Sequence, residues 1–198
     1  MYKLILTLFS VLLLSHIVTA NEVHNIDLDN SKLKWEGRKV TGAHHGTINL
    51  KDGSLELADG ELNGGSFVVD MNSIVNLDLE DETWNDKLVN HLKSDDFFSV
   101  DKYPVAEFKI TDVKIYKDSK TESNYLIIGD LTIKGITHSI EFPAVVKNDN
   151  DKVSATATIE VDRSKYDVRF RSGSFFTGLG DKLIYDNFTM NIELTASR

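Results

Sequence analysis

The sequence predicts an all-β domain of eight antiparallel strands, with a short helix at about residues 84–93 and a long irregular connection before the last strand. Eight segments alternate apolar and polar residues with the period of two that is typical of a half-buried strand. Tight turns such as Lys134-Gly135-Ile136 join several of these segments, and strands joined in this way run antiparallel. The whole chain contains only two prolines, and few segments have a helical period.

Each of the eight segments has one apolar face. In SKLKWEG the apolar residues are Leu33 and Trp35, and in NFTMNIELTA they begin with Phe188 and Met190. Eight such strands can close into a barrel, which leaves no exposed edge. A barrel of this size is either filled by side chains or holds one small ligand. A two-sheet sandwich is the alternative, because periodicity alone does not separate the two architectures.

Two segments interrupt the alternation, at residues 81–98 and 163–185, and any specific function is expected to involve them. In the first segment, Asp81 or Thr83 can cap a helix that begins near Trp84. Trp84, Leu88 and Leu92 then share one helical face, which should lie against the β core.

His91 lies close in sequence to two adjacent carboxylates, Asp95 and Asp96. His91 and Asp95 have the i, i+4 spacing of a ligand pair, but two ligands make a weak metal site. We therefore interpret the three residues as local hydrogen-bonding groups, and an enzyme that uses His91 with Asp95 or Asp96 is the less favoured alternative. His44 and His45 are consecutive on a strand and are expected to point to opposite faces.

The N-terminal residues 1–20 have a basic start, an apolar run and a small-residue end, as in a secretory signal peptide. Cleavage near Ala20/Asn21 would leave one domain at residues 21–198, in the periplasm or outside the cell. A retained anchor helix is the alternative. The chain contains no cysteine and has a net charge of −9, which argues against nucleic acid and against an anionic membrane surface as partners.

Three motifs resemble the YceI-like family. Residues 91–110, HLKSDDFFSVDKYPVAEFKI, are similar to its central motif; GDLTIKGITHSIEFP at 129–143 is similar to its next hairpin; DRSKYDVRF and LGDKLIYDNFTMNIEL resemble its C-terminal part. The positions that match the central motif are His91, Leu92, Lys93, Ser94, Asp96, Phe97, Phe98, Tyr103, Pro104, Ala106 and Phe108. The chain departs from the family at RKVTGAHHGTINL, so the barrel mouth is expected to differ in shape and polarity.

This resemblance implies a lipocalin-like, eight-stranded barrel that is exported and binds a long-chain apolar lipid, such as a polyisoprenoid or the tail of an isoprenoid quinone. It implies no catalytic residue and no metal. It implies no membrane insertion, and the protein could be a monomer or a homodimer. A small outer-membrane β-barrel is the alternative from another class, since it also combines a signal peptide with eight alternating strands.

The inward positions include small residues, such as Gly129, Ala144, Ala155 and Ala157, which could leave room for a thin apolar chain. The residues expected to line this cavity are Leu33, Trp35, Phe67, Val69, Met71, Ala106, Phe108, Ile110, Leu131, Ile133, Phe142, Ala144, Ala157, Ile159, Phe188 and Met190. The residues expected to form a mouth or lid are Leu88, Leu92, Phe97 and Phe98. A solid core that leaves no cavity is the alternative.

Overall fold

Alternating inward and outward side chains run along the strands of the protein, whose computed structural model describes residues 21–117, 121–149 and 151–198. The predicted signal peptide, residues 1–20, lies outside the described residues. In the described part the strands are β1 (Glu22–Ile26), β2 (Lys32–Lys39), β3 (Gly42–Ala58), β4 (Glu61–Asn76), β5 (Val105–Ile115), β6 (Tyr125–Ile133), β7 (Ile136–Asp149), β8 (Lys152–Asp162) and β9 (Ile184–Ser197).

The strands from β2 to β9 form a closed antiparallel barrel. Each pairs with the next along the chain, and β9 pairs back with β2, where Trp35 lies opposite Met190. This closure confirms the predicted eight-stranded barrel and rules out the sandwich. It also leaves the eight barrel positions without a free edge.

The strand β1 was not among the eight predicted segments. It pairs with the second half of β3 and with the end of β9, so β1 and β2 share one barrel position. Its inward residues are His24 and Ile26, both buried. The alternation is weak in this strand because a histidine occupies one of only two inward positions among five residues.

The one α-helix of the described chain, α1 (Glu82–Lys93), follows β4 and lies at one end of the barrel, which we call the helix end. The Asp81 carboxylate accepts a hydrogen bond from the Trp84 backbone N–H and caps the first turn. Leu88 and Leu92 face the barrel, but the prediction that Trp84 packs against the core is wrong. Trp84 is 59% exposed, and the Lys87 ammonium lies over its ring.

The long connection between β8 and β9 folds around the side chain of Arg163, which is 4% exposed. The Arg163 guanidinium donates hydrogen bonds to the backbone carbonyls of Val168, Ile184 and Tyr185, and it lies 3.4 Å from the Asp186 carboxylate. Burial lowers the pKa of Arg163, and the nearby carboxylates oppose that effect. Arg163 thus ties both ends of the connection to the helix end of the barrel.

Candidate ligand-binding cavity

An apolar cavity of about 210 Å³ opens at the helix end of the barrel, beneath α1 and the Phe97–Phe98 turn. Its walls are almost wholly carbon. The residues around it are Trp35, Gly37, Arg38, Lys39, His44, Ile48, Val69, Met71, Ile74, Leu88, Leu92, Phe97, Phe98, Ala106, Leu131, Ile133, Val161, Arg163, Ile184, Tyr185, Phe188 and Met190. Such a wall can hold an apolar group by burial alone, without a specific hydrogen bond.

Half of the expected cavity residues lie around this cavity, and so do all four expected mouth residues. The former are Trp35, Val69, Met71, Ala106, Leu131, Ile133, Phe188 and Met190; the latter are Leu88, Leu92, Phe97 and Phe98. Whether these side chains contact a ligand stays a prediction.

The other half of the expected residues do not line this cavity. Leu33, Ile110, Phe142, Ala144 and Ile159 are buried in the core, whereas Phe67, Phe108 and Ala157 are half-buried and pack against it. These residues lie too far from the open end of the barrel to reach the cavity. Alternation along a strand separates inward from outward residues, but it does not tell which inward residues lie near the open end.

Gly129 shows why a small residue need not leave space. A Cβ at this position would lie 2.4 Å from Cζ of Phe108, so the phenyl ring occupies the volume that the missing side chain frees. Ala144 is likewise packed in the buried core. The expectation that Gly129 and Ala144 open a channel is therefore wrong, whereas Ala155 and Ala157 face inward and are only half-buried.

Several cavity residues were not expected from the sequence. They are Gly37, Arg38, Lys39, His44, Ile48, Ile74, Val161, Arg163, Ile184 and Tyr185. Ile48 and Val161 lie on the apolar faces of alternating segments, so the sequence indicates their inward direction but not their depth in the barrel. The polar residues among them sit at strand ends, where their carbon stems can cover apolar surface.

Phe97 and Phe98 occupy different settings. Phe97 is buried, with its ring 5.0 Å from the His91 ring, 5.5 Å from the Phe170 ring and 5.8 Å from the Arg163 guanidinium. Phe98 is half-buried and meets Phe188 edge-on at 6.4 Å. Phe97 is thus enclosed by its neighbours, whereas Phe98 keeps part of its surface exposed.

The carboxylates near His91 make local contacts. Nε2 of His91 lies 3.0 Å from Oδ2 of Asp96, whereas Asp95 pairs with the Lys102 ammonium at 2.8 Å. His91 therefore meets the carboxylate at i+5, not the one at i+4 that the spacing suggested. Asp95 accepts hydrogen bonds from Lys102 and Ser99, which lower its pKa.

His44 and His45 both contact Asp78, a residue that the sequence did not single out. Nδ1 of His44 lies 2.8 Å from Oδ2 of Asp78, and the His45 backbone N–H donates to Oδ1. The His45 ring is 3.8 Å from the same carboxylate, so one group approaches both rings. Partial burial would raise the pKa of Asp78, but hydrogen bonds from His45, His44 and Asn76 outweigh it and lower the pKa to about 2.

Gly46 lets Trp35 lie flat across the neighbouring strand at the cavity wall. A Cβ at residue 46 would lie 1.8 Å from the Val75 carbonyl oxygen and 2.8 Å from the Trp35 ring. The Trp35 indole N–H donates to that same carbonyl at 3.2 Å. A side chain at this position would therefore displace the indole from the wall.

Within the described ranges, no three His, Cys, Asp or Glu side chains come close enough together to hold a metal ion. In the same part of the chain, α1 and the shorter helical turns all lack the length and apolar character needed to cross a membrane.

The closed antiparallel barrel with an apolar cavity at one end places the protein among small β-barrels that can enclose a single apolar ligand. The YceI-like domain matches residues 24–196, so the chain belongs to the YceI-like domain family. A UPF0312 protein of Staphylococcus aureus (strain bovine RF122 / ET3-1) is 38% identical over 95 residues, which cover 44% of this chain and 50% of that protein. The chain thus spans about half the length of this relative.

Two solved structures share the fold. BcnA of Burkholderia cenocepacia superposes with a TM-score of 0.65 and 19% identity, over 87% of this chain and 99% of that one. A polyisoprenoid binding domain from Saccharophagus degradans, implicated in plant cell wall breakdown, superposes with a TM-score of 0.61 and 14% identity, over 88% of this chain and 97% of that one.

Proposed function

We propose that this protein binds an apolar isoprenoid lipid, a polyprenyl chain or the tail of an isoprenoid quinone, and carries it in the cavity at the helix end of the barrel. The observation that carries the proposal is the cavity itself, whose wall is apolar and opens beside α1. The Saccharophagus degradans neighbour, a polyisoprenoid binding domain with the same fold, supports the choice of ligand class.

Burial supplies the binding free energy in this proposal. Each CH₂ moved from water into the cavity contributes about 0.8 kcal/mol. A chain end inserted among Ala106, Leu131 and Phe188 would displace water from apolar walls, while a polar head group would stay at the mouth near His44 and Tyr185. No step in this function makes or breaks a covalent bond, so we propose a binding protein and not an enzyme.

The outward faces of the strands favour this reading over an outer-membrane barrel. Outward residues include ion-paired groups such as Lys34 with Glu193 and Lys114 with Asp112. The buried apolar residues lie inside the barrel. An outer-membrane barrel needs the opposite arrangement, with an apolar band outside.

Lipid that co-purifies with the protein tests the proposal. Native mass spectrometry and organic extraction should find an isoprenoid lipid on the wild type and far less on Ala106→Phe. The added phenyl ring should fill the cavity, because an apolar space of about 150 Å³ already holds a benzene ring.

The matched control is Thr156→Phe, which adds the same ring at an exposed position of β8. It should retain the lipid. A wild-type protein that carries no lipid, and whose melting temperature is unchanged by saturating quinone, would refute the proposal. At a hundredfold excess over Kd a true ligand adds about 2.7 kcal/mol, or a shift of roughly 5–10 °C.

We also propose that the protein is exported, on the basis of the signal-like composition of residues 1–20. Intact-mass measurement of protein from fractionated cells should find a chain that begins at Asn21 in the periplasm or the medium. A full-length chain in the cytoplasm would contradict export and leave the binding proposal intact.

A further inference from the structure

The cavity is shallow relative to the barrel. Trp35, Ala106 and Leu131 line it, but the inward residues two positions further from the mouth on the same strands, Leu33, Phe108 and Gly129, do not. The same boundary lies between Val69 and Phe67 on β4, and between Met190 and Ile192 on β9. The cavity therefore ends at one layer of inward side chains.

The ring of Phe108 lies in this layer and crosses the barrel interior over Gly129. Its centroid is 6.3 Å from that of Phe67, in a stacked pair, and 5.6 Å from that of Phe142. We call Phe67, Phe108 and Phe142 the aromatic floor. Phe108 is directly opposite Leu131, a cavity residue, so the floor begins where the cavity ends.

Inward side chains on β8 and β9, in the layer of the aromatic floor and one layer deeper, retain some exposure. Ala155, Ala157, Ile192 and Leu194 pair across β8 and β9 and share the inward face with the buried Val153 and Ala196. These four are nevertheless only half-buried. In a closed barrel, an inward side chain that retains exposure borders internal space. The exposure of Ala155 and Leu194, one layer deeper than the floor, indicates that side chains do not fill the barrel completely there.

We propose that Phe108 determines the length of isoprenoid chain that the protein binds, an inference that rests on the proposed lipid-binding function. The cavity of about 210 Å³ is about 1.4 times the roughly 150 Å³ that encloses the six carbons of a benzene ring. It therefore has room for about eight carbons, which is most of two five-carbon isoprene units. The Phe108 ring prevents a third isoprene unit from entering the barrel. The rest of a longer chain stays outside the mouth, where it gains little from burial.

A series of prenyl alcohols tests this length limit. Prenol, geraniol, farnesol and geranylgeraniol carry one to four isoprene units and share a terminal allylic hydroxyl. Binding can be followed by the fluorescence of Trp35, which lines the cavity, in a Trp84→Phe background that removes the exposed indole. The measurement uses the protein as purified from cells that express the full sequence of 198 residues.

Affinity should rise at least about tenfold from prenol to geraniol, and by less than about threefold for each later unit, because only buried CH₂ groups contribute. In Phe108→Ala the tenfold gain should extend to farnesol and geranylgeraniol. Phe108→Leu should give a dependence of affinity on chain length between those of the wild type and Phe108→Ala. It preserves more of the core, so it serves as the test if the alanine variant does not fold. Val153→Ala, a buried change at the other end of β8, should keep the wild-type profile.

The outcomes separate the two proposals. If geraniol and its longer homologues do not bind at all, the proposed function fails, and the length limit fails with it. If all bind and the wild type gains equally from every unit, the lipid-binding function stands and the role of Phe108 is refuted. An unchanged profile in folded Phe108→Ala or Phe108→Leu refutes that role as well.

Discussion

At the residue scale, the cavity mouth contains one polar cluster with a clear electrostatic consequence. Asp78 accepts hydrogen bonds from the His45 backbone and the Asn76 amide, and it contacts the His44 ring. These contacts favour the charged carboxylate and hold its pKa near 2, below the ordinary value of 3.8. Asp78 therefore ties the start of β3 to the chain that leads into α1.

The pKa of Asp78 fixes the pH range in which this cluster stabilises the fold. Because the folded-state pKa is lowered, the stabilisation is complete above about pH 4 and is lost as the pH falls through about 2. Urea unfolding of the wild type and Asp78→Asn should show a difference in free energy that is largest near neutral pH and shrinks below about pH 4. A difference that stays constant down to about pH 2 would contradict this account.

At the element scale, the turn after α1 and the connection before β9 together form the mouth. The turn contributes Phe97 and Phe98, the connection contributes Arg163, and all three line the cavity. The sequence singled out both segments because they break the alternation. It could not show that Arg163 is buried, since an arginine in a connection is usually solvated.

Phe98 is expected to control ligand exchange because it lines the cavity at the mouth and is only half-buried. Phe98→Ala should weaken binding of geraniol by about tenfold, mostly through faster dissociation, since an aromatic contact contributes about 0.5–1.5 kcal/mol. Stopped-flow fluorescence measures the rate. Phe97→Ala is the comparison, and it should instead lower stability by about 3–5 kcal/mol. Equal dissociation rates in Phe98→Ala and wild type would show that Phe98 does not control ligand exchange.

Arg163 is expected to hold the connection before β9. Arg163→Met leaves three backbone carbonyls and Asp186 without their buried partner, which should cost about 3–5 kcal/mol of unfolding free energy. Arg169→Met is the matched control, because Arg169 pairs with Asp167 at an exposed site, where such pairs contribute about 0–1 kcal/mol. Denaturant unfolding of both variants checks this. Similar losses in the two would show that burial of Arg163 is unimportant.

At the scale of the whole molecule, the barrel followed from the sequence because period-two alternation and short turns act locally. The strand β1 was not predicted because His24, one of its inward residues, is polar. Trp84 was assigned to the core because helical spacing orders side chains around the axis but does not show how closely the helix approaches the barrel. The sequence did not predict the extent of the cavity for a related reason. Ala106 and Phe108 face the same way along β5. Only the closed barrel shows that Ala106 lines the open space and that Phe108 ends it.

The most direct test of the central claim is a crystal structure of residues 21–198 with a bromine-tipped ten-carbon alcohol, 10-bromo-1-decanol. Anomalous scattering locates the bromine atom without reference to the fit of the chain. If the cavity binds apolar chains, the bromine should lie among Ala106, Leu131 and Phe188, just above the ring of Phe108, with the hydroxyl at the mouth. Bromine found only on the outer surface of the barrel, or in no defined place at saturating alcohol, would contradict the assignment of this cavity as the lipid site.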